Sequence, residues 1–270
     1  METALKSVLA WWDDSGVDVP AIAPTKTRRK NRAASSPSNV STNVSVNGAA
    51  QTPPAPVSVR ASTPSAPEAE QAKWIAAAIA MADGAKTLEA LKSGVEGFAA
   101  GALTDRARGA VFARGNAQAD VMVIGEAPSV QDDAQGQPFA GPAGELLDKI
   151  LGSIGLTEQD VYLTNIVNWR PLNNGRPTEA DIAICRPIIH RHIALASPKV
   201  IVLIGGVAMS ALTELKGITK CRGEWTQLAA GGADIPALVT YHPAYLLRQS
   251  ALKADVWRDM LSLRAKLAAL

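Results

Sequence analysis

The 270-residue sequence has few of the residues that build disulfide frameworks or metal clusters: it contains two cysteines and three histidines. Two thiols cannot form a disulfide framework, and free cysteines are typical of a reducing compartment. The formal net charge is only +2, so the chain lacks the basic character of a general nucleic-acid binder. It also lacks an apolar run near ~18 residues and a cationic start followed by an apolar segment. These absences predict a cytoplasmic protein without a membrane span.

Aromatic residues make up only 4% of the chain, but apolar residues make up 47%, which is enough for a sizeable core. The composition is uneven, because residues 1–70 hold eight of the 17 prolines. The stretch 33–67 consists mostly of small, polar or proline residues, and Arg60 is its only charge. Such a stretch cannot bury enough apolar surface to fold. We therefore predict a disordered, low-complexity extension over residues 1–70 and a folded domain over residues 71–270.

The predicted extension has two features of its own. Its first residues, ALKSVLAWWDDSGVD, predict a short amphipathic segment, and Trp11 and Trp12 are costly to expose. Residues 25–32, TKTRRKNR, then place five cations in eight positions. This basic patch is either a solvated charge run or an arm that contacts phosphates or a protein partner, and the sequence leaves both open.

Beyond about residue 69, helical and strand patterns alternate. Helical spacing over residues 69–98 is interrupted at Gly84. Four apolar runs rich in β-branched residues then predict strands, each followed by a helical pattern: VMVI, VYLTNIV, KVIVLIGG and IPALVTYHP. Strands that alternate with helices form a parallel sheet covered on both faces. We therefore predict a three-layer α/β/α fold around a central, mostly parallel four-stranded sheet.

Polar residues stand where three of the predicted strands end. Glu126 follows the first strand, Asn165 ends the second, and His242 follows the fourth. Because ligands bind at the carboxyl ends of parallel strands, these side chains are expected to face one site. Each residue alone has an ordinary explanation as a cap, a turn residue or a core histidine. All three at one edge of the sheet indicate a functional site.

Four motifs in this chain resemble family 4 of the uracil-DNA glycosylase superfamily, in the same order: GEAPS, GQPFAGPAG, LTN and HPAYLLR. The resemblance runs from roughly residue 89 to residue 267. It implies a DNA glycosylase that flips uracil out of the stack, hydrolyses its N-glycosidic bond and leaves an abasic site for base excision repair. It also implies a uracil-DNA glycosylase-like catalytic domain over residues 71–270, uracil-containing DNA as the partner, a monomer, and association with the nucleoid.

The resemblance assigns substrate-binding residues. The ring of Phe139 is expected to stack against the flipped uracil, and such base stacking contributes about 1–3 kcal/mol. The amide of Asn165 matches the N3–H donor and O4 acceptor of uracil, a pattern that cytosine reverses. Ala127 lies at the position where another branch of the superfamily has an Asp. Ser129 replaces a family glycine beside C5 of uracil, so its hydroxymethyl group narrows the pocket or adds a hydrogen bond.

The resemblance also assigns catalytic and DNA-contacting residues. His242 is expected to donate a hydrogen bond to uracil O2 as negative charge develops on the leaving base. Glu126 is the first candidate to stabilise positive charge on the sugar and orient the attacking water, and Asp132 is the second. In the last motif, Leu246 and Leu247 are expected to wedge into the base stack and Arg248 to bind a phosphate. The leucines of this motif could instead begin a helix and face the core.

The cysteines depart from the family pattern. Most family 4 enzymes hold an iron–sulfur cluster on four cysteines, and such a cluster needs thiolates. Cys185 matches one ligand position, whereas Trp169 and Gly101 stand at others. The sequence therefore predicts a protein with no cluster, and no other metal-ligand spacing is apparent.

Two other functions compete with the enzyme. The protein could be a non-catalytic module that binds damaged DNA with a retained uracil pocket, although a pure binder does not need Glu126 and His242 together. A nucleotide-binding or polymerase-associated α/β protein is disfavoured, because neither a GxGxxG nor a Walker pattern follows the first strand.

Overall fold

The computed structural model describes residues 66–270. The basic patch at residues 25–32, the tryptophan pair and nearly all of the predicted disordered extension lie outside the described residues, so the predicted boundary at residue 70 stays a prediction. No helix in the described range is long and apolar enough to cross a membrane.

Within residues 66–270, six strands form one mixed sheet. In chain order they are β1 (Arg114–Gly115), β2 (Val121–Gly125), β3 (Val161–Asn165), β4 (Val200–Ile204), β5 (Trp225–Ala230) and β6 (Ala233–Thr240). Across the sheet they lie in the order β1, β3, β2, β4, β6, β5. The four central strands are parallel, and β1 and β5 pair antiparallel at the two edges.

Nine α-helices of the described part flank this sheet. They are α1 (Ala66–Gly84), α2 (Leu88–Glu96), α3 (Val130–Gln135), α4 (Pro142–Gly152), α5 (Glu179–Ala196), α6 (Gly206–Leu212), α7 (Ile218–Cys221), α8 (Pro243–Leu246) and α9 (Lys253–Leu267). Single 3₁₀ turns lie at Gly101–Leu103, Leu172–Asn174 and Ser250–Leu252. Local chemistry sets several boundaries. For example, Thr178 and Asp181 form a capping box that begins α5.

The core lies on both faces of the sheet. Successive strand side chains point to opposite faces, so Met122 and Ile124 of β2 enter one apolar cluster, whereas Val121 and Val123 enter the other. Residues of α1, α2, α5 and α6 pack in the first cluster, and residues of α4, α8 and α9 pack in the second. Each fully buried large apolar side chain contributes about 1.5–3 kcal/mol. The predicted three-layer α/β/α fold around four parallel strands is confirmed.

The two antiparallel edge strands are additions to the predicted sheet. Strand β5 alternates between exposed and buried residues and has no apolar run, so its composition does not indicate a buried strand. A stronger signal follows it: Gly231 and Gly232, both with positive φ, form the two-residue turn between the paired Ala230 and Ala233. A Gly-Gly pair between two extended segments is typical of a β-hairpin.

Candidate active site

A cavity of about 810 Å³ opens at the carboxyl ends of the parallel strands. The loops that follow β2, β3, β4 and β6 all contribute to its wall, and its lining includes Glu126, Ala127, Ser129, Arg176, Gly205, His242 and Arg248. This is the edge of the sheet at which the sequence predicts a ligand site. The structure therefore brings together residues that lie more than a hundred positions apart in the chain.

Asn165 and Phe139 meet over the last residue of β2. In the register of β2 and β3, Gly125 lies opposite Asn165. A Cβ atom at Gly125 would lie 2.4 Å from Asn165 Oδ1 and 2.6 Å from Phe139 Cζ, so a glycine is required for both side chains to reach this point. The two predicted base-binding residues are thus in one place, at the carboxyl ends of the central strands, where both are buried and neither lines the cavity.

The amide of Asn165 is buried without a hydrogen bond. The residue is 2% exposed, and neither Nδ2 nor Oδ1 has a hydrogen-bond partner among the described residues. An unpaired buried amide costs about 1–3 kcal/mol, and buried polar groups are nearly always paired. This side chain is therefore chemically suited to a ligand that offers one acceptor and one donor side by side.

The loop that carries Phe139 is held by main-chain contacts. Phe139 has φ +58°, a left-handed conformation that is uncommon for an aromatic residue. The amide of Ala140 donates to Asp132 Oδ1 over 2.6 Å, which fixes the loop from one side. A Cβ atom at Gly144 would lie 1.7 Å from the carbonyl oxygen of Phe139, so only glycine fits there. The ring centroids of Phe139 and His242 are 6.3 Å apart, with the planes inclined at 32°.

His242 caps helix α8, and this contact assigns its tautomer. Its Nδ1 accepts a hydrogen bond from the amide of Ala244 over 3.1 Å, so the proton of the neutral ring resides on Nε2. Burial lowers the pKa of His242 to about 4; the Asp132 carboxylate opposes this shift and Arg248 adds to it. The imidazole is therefore neutral near physiological pH and has an N–H donor that the cap does not use.

Glu126 is the acidic group on the cavity wall beside these residues. It is half-buried, and burial raises the pKa of its carboxyl above the ordinary value, while Arg176 acts in the opposite direction. Its carbonyl oxygen accepts a hydrogen bond from the amide of Val167, which ties the residue after β2 to the segment after β3. Arg176 is a site residue that the sequence analysis misses. It lies in an irregular loop with no periodic pattern, and only its neighbouring Gly and Pro mark a turn.

The side chains of Asp132 and Ser129 form hydrogen bonds with main-chain amides. Ser129 is the N-cap of α3, where its hydroxyl accepts from the Asp132 amide and its own amide donates to Asp132 Oδ2 over 2.8 Å. Because Oδ1 accepts from Ala140, both carboxylate oxygens of Asp132 already bind main-chain amides. Ser129 and the half-buried Ala127 lie on the cavity wall.

The prediction that Leu246 inserts into DNA is contradicted by the structure. Leu246 is 0% exposed and packs in the core cluster with Val256 and Met260. Within α8, Leu246 stands three residues after the buried Pro243, so the two share the inward face of a single helical turn. Its neighbour Leu247 is 51% exposed instead. Arg248 is exposed and lines the cavity, which agrees with a role at the protein surface.

These features define an α/β protein with a polar, partly aromatic pocket at a parallel-strand edge. The family described as the uracil DNA glycosylase superfamily matches residues 112–261. The type-4 uracil-DNA glycosylase of Pyrobaculum aerophilum is 34% identical over 158 residues, which cover 57% of this chain and 81% of that protein. The corresponding values are 35% over 167 residues for Saccharolobus solfataricus, with 60% and 77% covered, and 39% over 140 residues for Thermotoga maritima, with 51% and 71% covered. The chain belongs to the uracil DNA glycosylase superfamily.

The comparisons contradict the prediction that the protein lacks an iron–sulfur cluster. The relatives are type-4 enzymes, the class whose members hold such a cluster. The prediction that this protein has no cofactor is therefore wrong. Cys185 stands at a matching position and is fully buried, and burial raises the pKa of its thiol to about 12. Within residues 66–270, no three His, Cys, Asp or Glu side chains group as metal ligands.

Proposed function

We propose that this protein is a monofunctional uracil-DNA glycosylase of the family 4 type, which hydrolyses the N-glycosidic bond of uracil in DNA and leaves an abasic site. The named relatives at 34–39% identity are uracil-DNA glycosylases. One observation carries the proposal: the buried and unpaired amide of Asn165 lies against Phe139 at the end of the central strands. A flipped pyrimidine needs such a combination of an aromatic face and a donor–acceptor pair.

Base recognition follows from the chemistry of the amide. Nδ2 of Asn165 donates to O4 of uracil, and Oδ1 accepts from N3–H, which satisfies both buried atoms. Cytosine presents the reverse pattern, so its binding leaves donors facing donors and is rejected. Phe139 supports the face of the base, and Ala127 and Ser129 lie on the wall near C5. Because the Ser129 hydroxyl accepts in the cap of α3 and donates to Gln131 Oε1 over 3.4 Å, we infer that it narrows the pocket without becoming a new donor to the base.

Bond cleavage leaves negative charge on the departing base, and His242 is placed to stabilise it. Nδ1 is occupied by the Ala244 amide, so the Nε2–H is the donor for uracil O2. Such a donor, already oriented before the reaction, contributes about 10²–10³-fold to the rate of cleavage. The lowered pKa keeps the ring neutral, so substrate binding requires no proton release.

Positive charge that develops on the sugar is stabilised by a carboxylate on the other side of the N-glycosidic bond. We assign Glu126 to this role and to orienting the attacking water, because its carboxylate is half-buried on the cavity wall and has Arg176 nearby. The hydrogen bonds of Asp132 to Ser129 and Ala140 favour a different role for this second candidate. We propose that Asp132 is a positioning residue for the Phe139 loop.

DNA contact is assigned to the segment after α8. The exposed Leu247 replaces the buried Leu246 as the side chain that fills the space left by the flipped nucleotide, and Arg248 binds a flanking phosphate. We further propose that the protein acts as a monomer in the cytoplasm, in association with the nucleoid. Residues 25–32 would add contacts to DNA or to a protein partner.

The test is release of labelled base from a single-stranded oligonucleotide that carries one uracil, with thymine, cytosine and hypoxanthine as controls. Rapid release of uracil alone is expected. Asn165→Asp should abolish this selectivity, because the carboxylate cannot donate to O4. Gln227→Glu makes the same amide-to-acid change at an exposed position of β5 and should behave like the wild type. Tight binding of uracil-containing DNA without any base release would refute the enzyme and support a damage-binding module.

A further inference from the structure

A second, smaller cavity adjoins the first one on the side of β3. It encloses about 280 Å³ and shares Pro171 and Asn174 with the larger cavity. Its lining consists of one residue from the segment after α2 and five consecutive residues from the segment after β3: Arg106, Arg170, Pro171, Leu172, Asn173 and Asn174. We call it the arginine cavity. Because the two cavities share these two lining residues, they are neighbours, and one DNA strand can reach both.

The arginine cavity has a cationic lining in which one guanidinium is ion-paired with a buried carboxylate, while its Nε has no hydrogen bond among the described residues. Arg170 Nε lies 3.2 Å from Asp133 Oδ2, and its side chain is only 28% exposed. Asp133 is itself buried and also accepts from the Arg108 amide over 2.8 Å, so this carboxylate is well anchored. Arg106 is exposed and forms no salt bridge with any residue in the described range. One anchored and one unpaired arginine leave a net positive charge that suits a phosphate.

The loop that forms the floor of this cavity presents an apolar side chain to solvent. Leu172 is 53% exposed, and the two residues that follow it, Asn173 and Asn174, both have φ of +55°. Asparagine adopts the left-handed region more readily than other residues apart from glycine, so these angles mark a tight turn. The turn leaves Leu172 exposed beside the two arginines, where an apolar side chain can contact a sugar of a bound strand.

The loop that lines the arginine cavity and Arg248 follow different strands of the sheet. The loop follows β3, whereas Arg248 follows β6, and β2 and β4 lie between these strands. Three strand spacings of about 4.8 Å each separate β3 from β6 by ~14 Å. The arginine cavity thus lies on the side of β3, the strand that carries Asn165, whereas Arg248 follows a strand nearer the other edge of the sheet.

We propose that the arginine cavity binds a backbone phosphate of the uracil-containing strand, on the side of the flipped nucleotide opposite to Arg248, with Leu172 against the adjoining sugar. This inference rests on the proposed glycosylase function. It adds a second point of attachment, so that the strand is held on both sides of the base that leaves the stack.

The experiment measures which phosphate of the strand each arginine contacts. Binding is measured for single-stranded oligonucleotides with one uracil, in which one phosphodiester at a time on either side is replaced by a neutral methylphosphonate. Arg106→Gln is expected to weaken binding about tenfold and to lower the salt slope by about 0.7. Its effect should disappear when one particular phosphate on one side of the uracil is neutral. Arg248→Gln should couple to a phosphate on the other side. Lys199→Gln, at the amino ends of the strands, is the control and should change neither quantity.

Three results would overturn the proposal: Arg106→Gln behaving like Lys199→Gln, Arg106 and Arg248 coupling to phosphates on the same side, or no coupling of Arg106 to any phosphate. Base release is recorded in parallel, with KM expected to rise and kcat to stay constant in Arg106→Gln. A wild-type protein that binds the strand without releasing base would refute the glycosylase function and still leave the phosphate couplings measurable.

Discussion

Gly125→Ala is a sensitive test of the base pocket, because it adds one methyl group where two recognition residues meet. The new Cβ would lie 2.4 Å from Asn165 Oδ1 and 2.6 Å from Phe139 Cζ, whereas ordinary contacts begin at 3.4 Å. The amide and the ring must therefore each move by about 1 Å, and a displacement of that size can lower the rate of an enzyme about 10²-fold. Overpacking of this kind also destabilises a core by about 1–3 kcal/mol.

The assay is kcat/KM for uracil release, together with the melting temperature. A fall of about 10²-fold is expected, with a loss of about 2–4 °C in melting temperature for each kcal/mol of destabilisation. Gly152→Ala is the matched control, because no atom lies within 4 Å of its added Cβ and its residue ends α4. It should keep full activity. If Gly125→Ala cleaves uracil as fast as the wild type, Asn165 and Phe139 do not form the base pocket.

Three further changes test individual assignments. His242→Ala should lower kcat about 10²–10³-fold by removal of the Nε2–H donor, while affinity for abasic DNA, measured by titration, stays nearly unchanged. When kcat/KM is measured against pH, activity should fall on the acid side as the Glu126 carboxylate, whose pKa is raised by burial, becomes protonated. His242 does not cause this acid limb, because its pKa is lowered to about 4 and the ring becomes charged only at lower pH. Glu126→Gln should be slow and lack that limb. Leu246→Ala should reduce the free energy of unfolding by about 2–5 kcal/mol, whereas Leu247→Ala should leave it unchanged and slow uracil release from duplex DNA.

Each of these has a clear contrary result. Equal losses of cleavage and abasic-site binding in His242→Ala would remove its assigned role. An acid limb that persists in Glu126→Gln would assign the titration to another group. Denaturant unfolding that leaves Leu246→Ala as stable as the wild type would contradict its burial, and unchanged duplex cleavage by Leu247→Ala would exclude it as the wedge.

The central part of the fold follows from local sequence patterns. The parallel strands are short apolar runs that end near glycine or a polar residue, and burial on both faces explains why they lack alternation. The edge strand β5 has no such run, and its pairing depends on the adjacent hairpin turn at Gly231 and Gly232. A pattern that reports burial identifies the centre of a sheet better than its edges.

At the site, the sequence predicts where a residue lies along the chain but not which way its side chain points. The strand ends correctly predict that Glu126, Asn165 and His242 share one edge of the sheet. Sequence cannot tell which of two adjacent leucines faces inward on a single helical turn, so Leu246 is wrongly assigned to DNA. Likewise, an acid in a motif can serve a substrate or the backbone, and the hydrogen bonds of Asp132 to two amides become visible only in three dimensions.

The unpaired amide of Asn165 has a consequence for the end of the reaction. The groups of the base that it is proposed to recognise are the same in free uracil as in DNA, so under this assignment the excised base is expected to bind the folded protein as well. A ligand that binds only the folded state stabilises it by about 2.7 kcal/mol at one hundred times its dissociation constant. Free uracil should thus protect the protein against heat and compete with DNA for the pocket. Departure of the small product, as well as cleavage of the bond, would then limit how quickly one molecule proceeds to the next lesion.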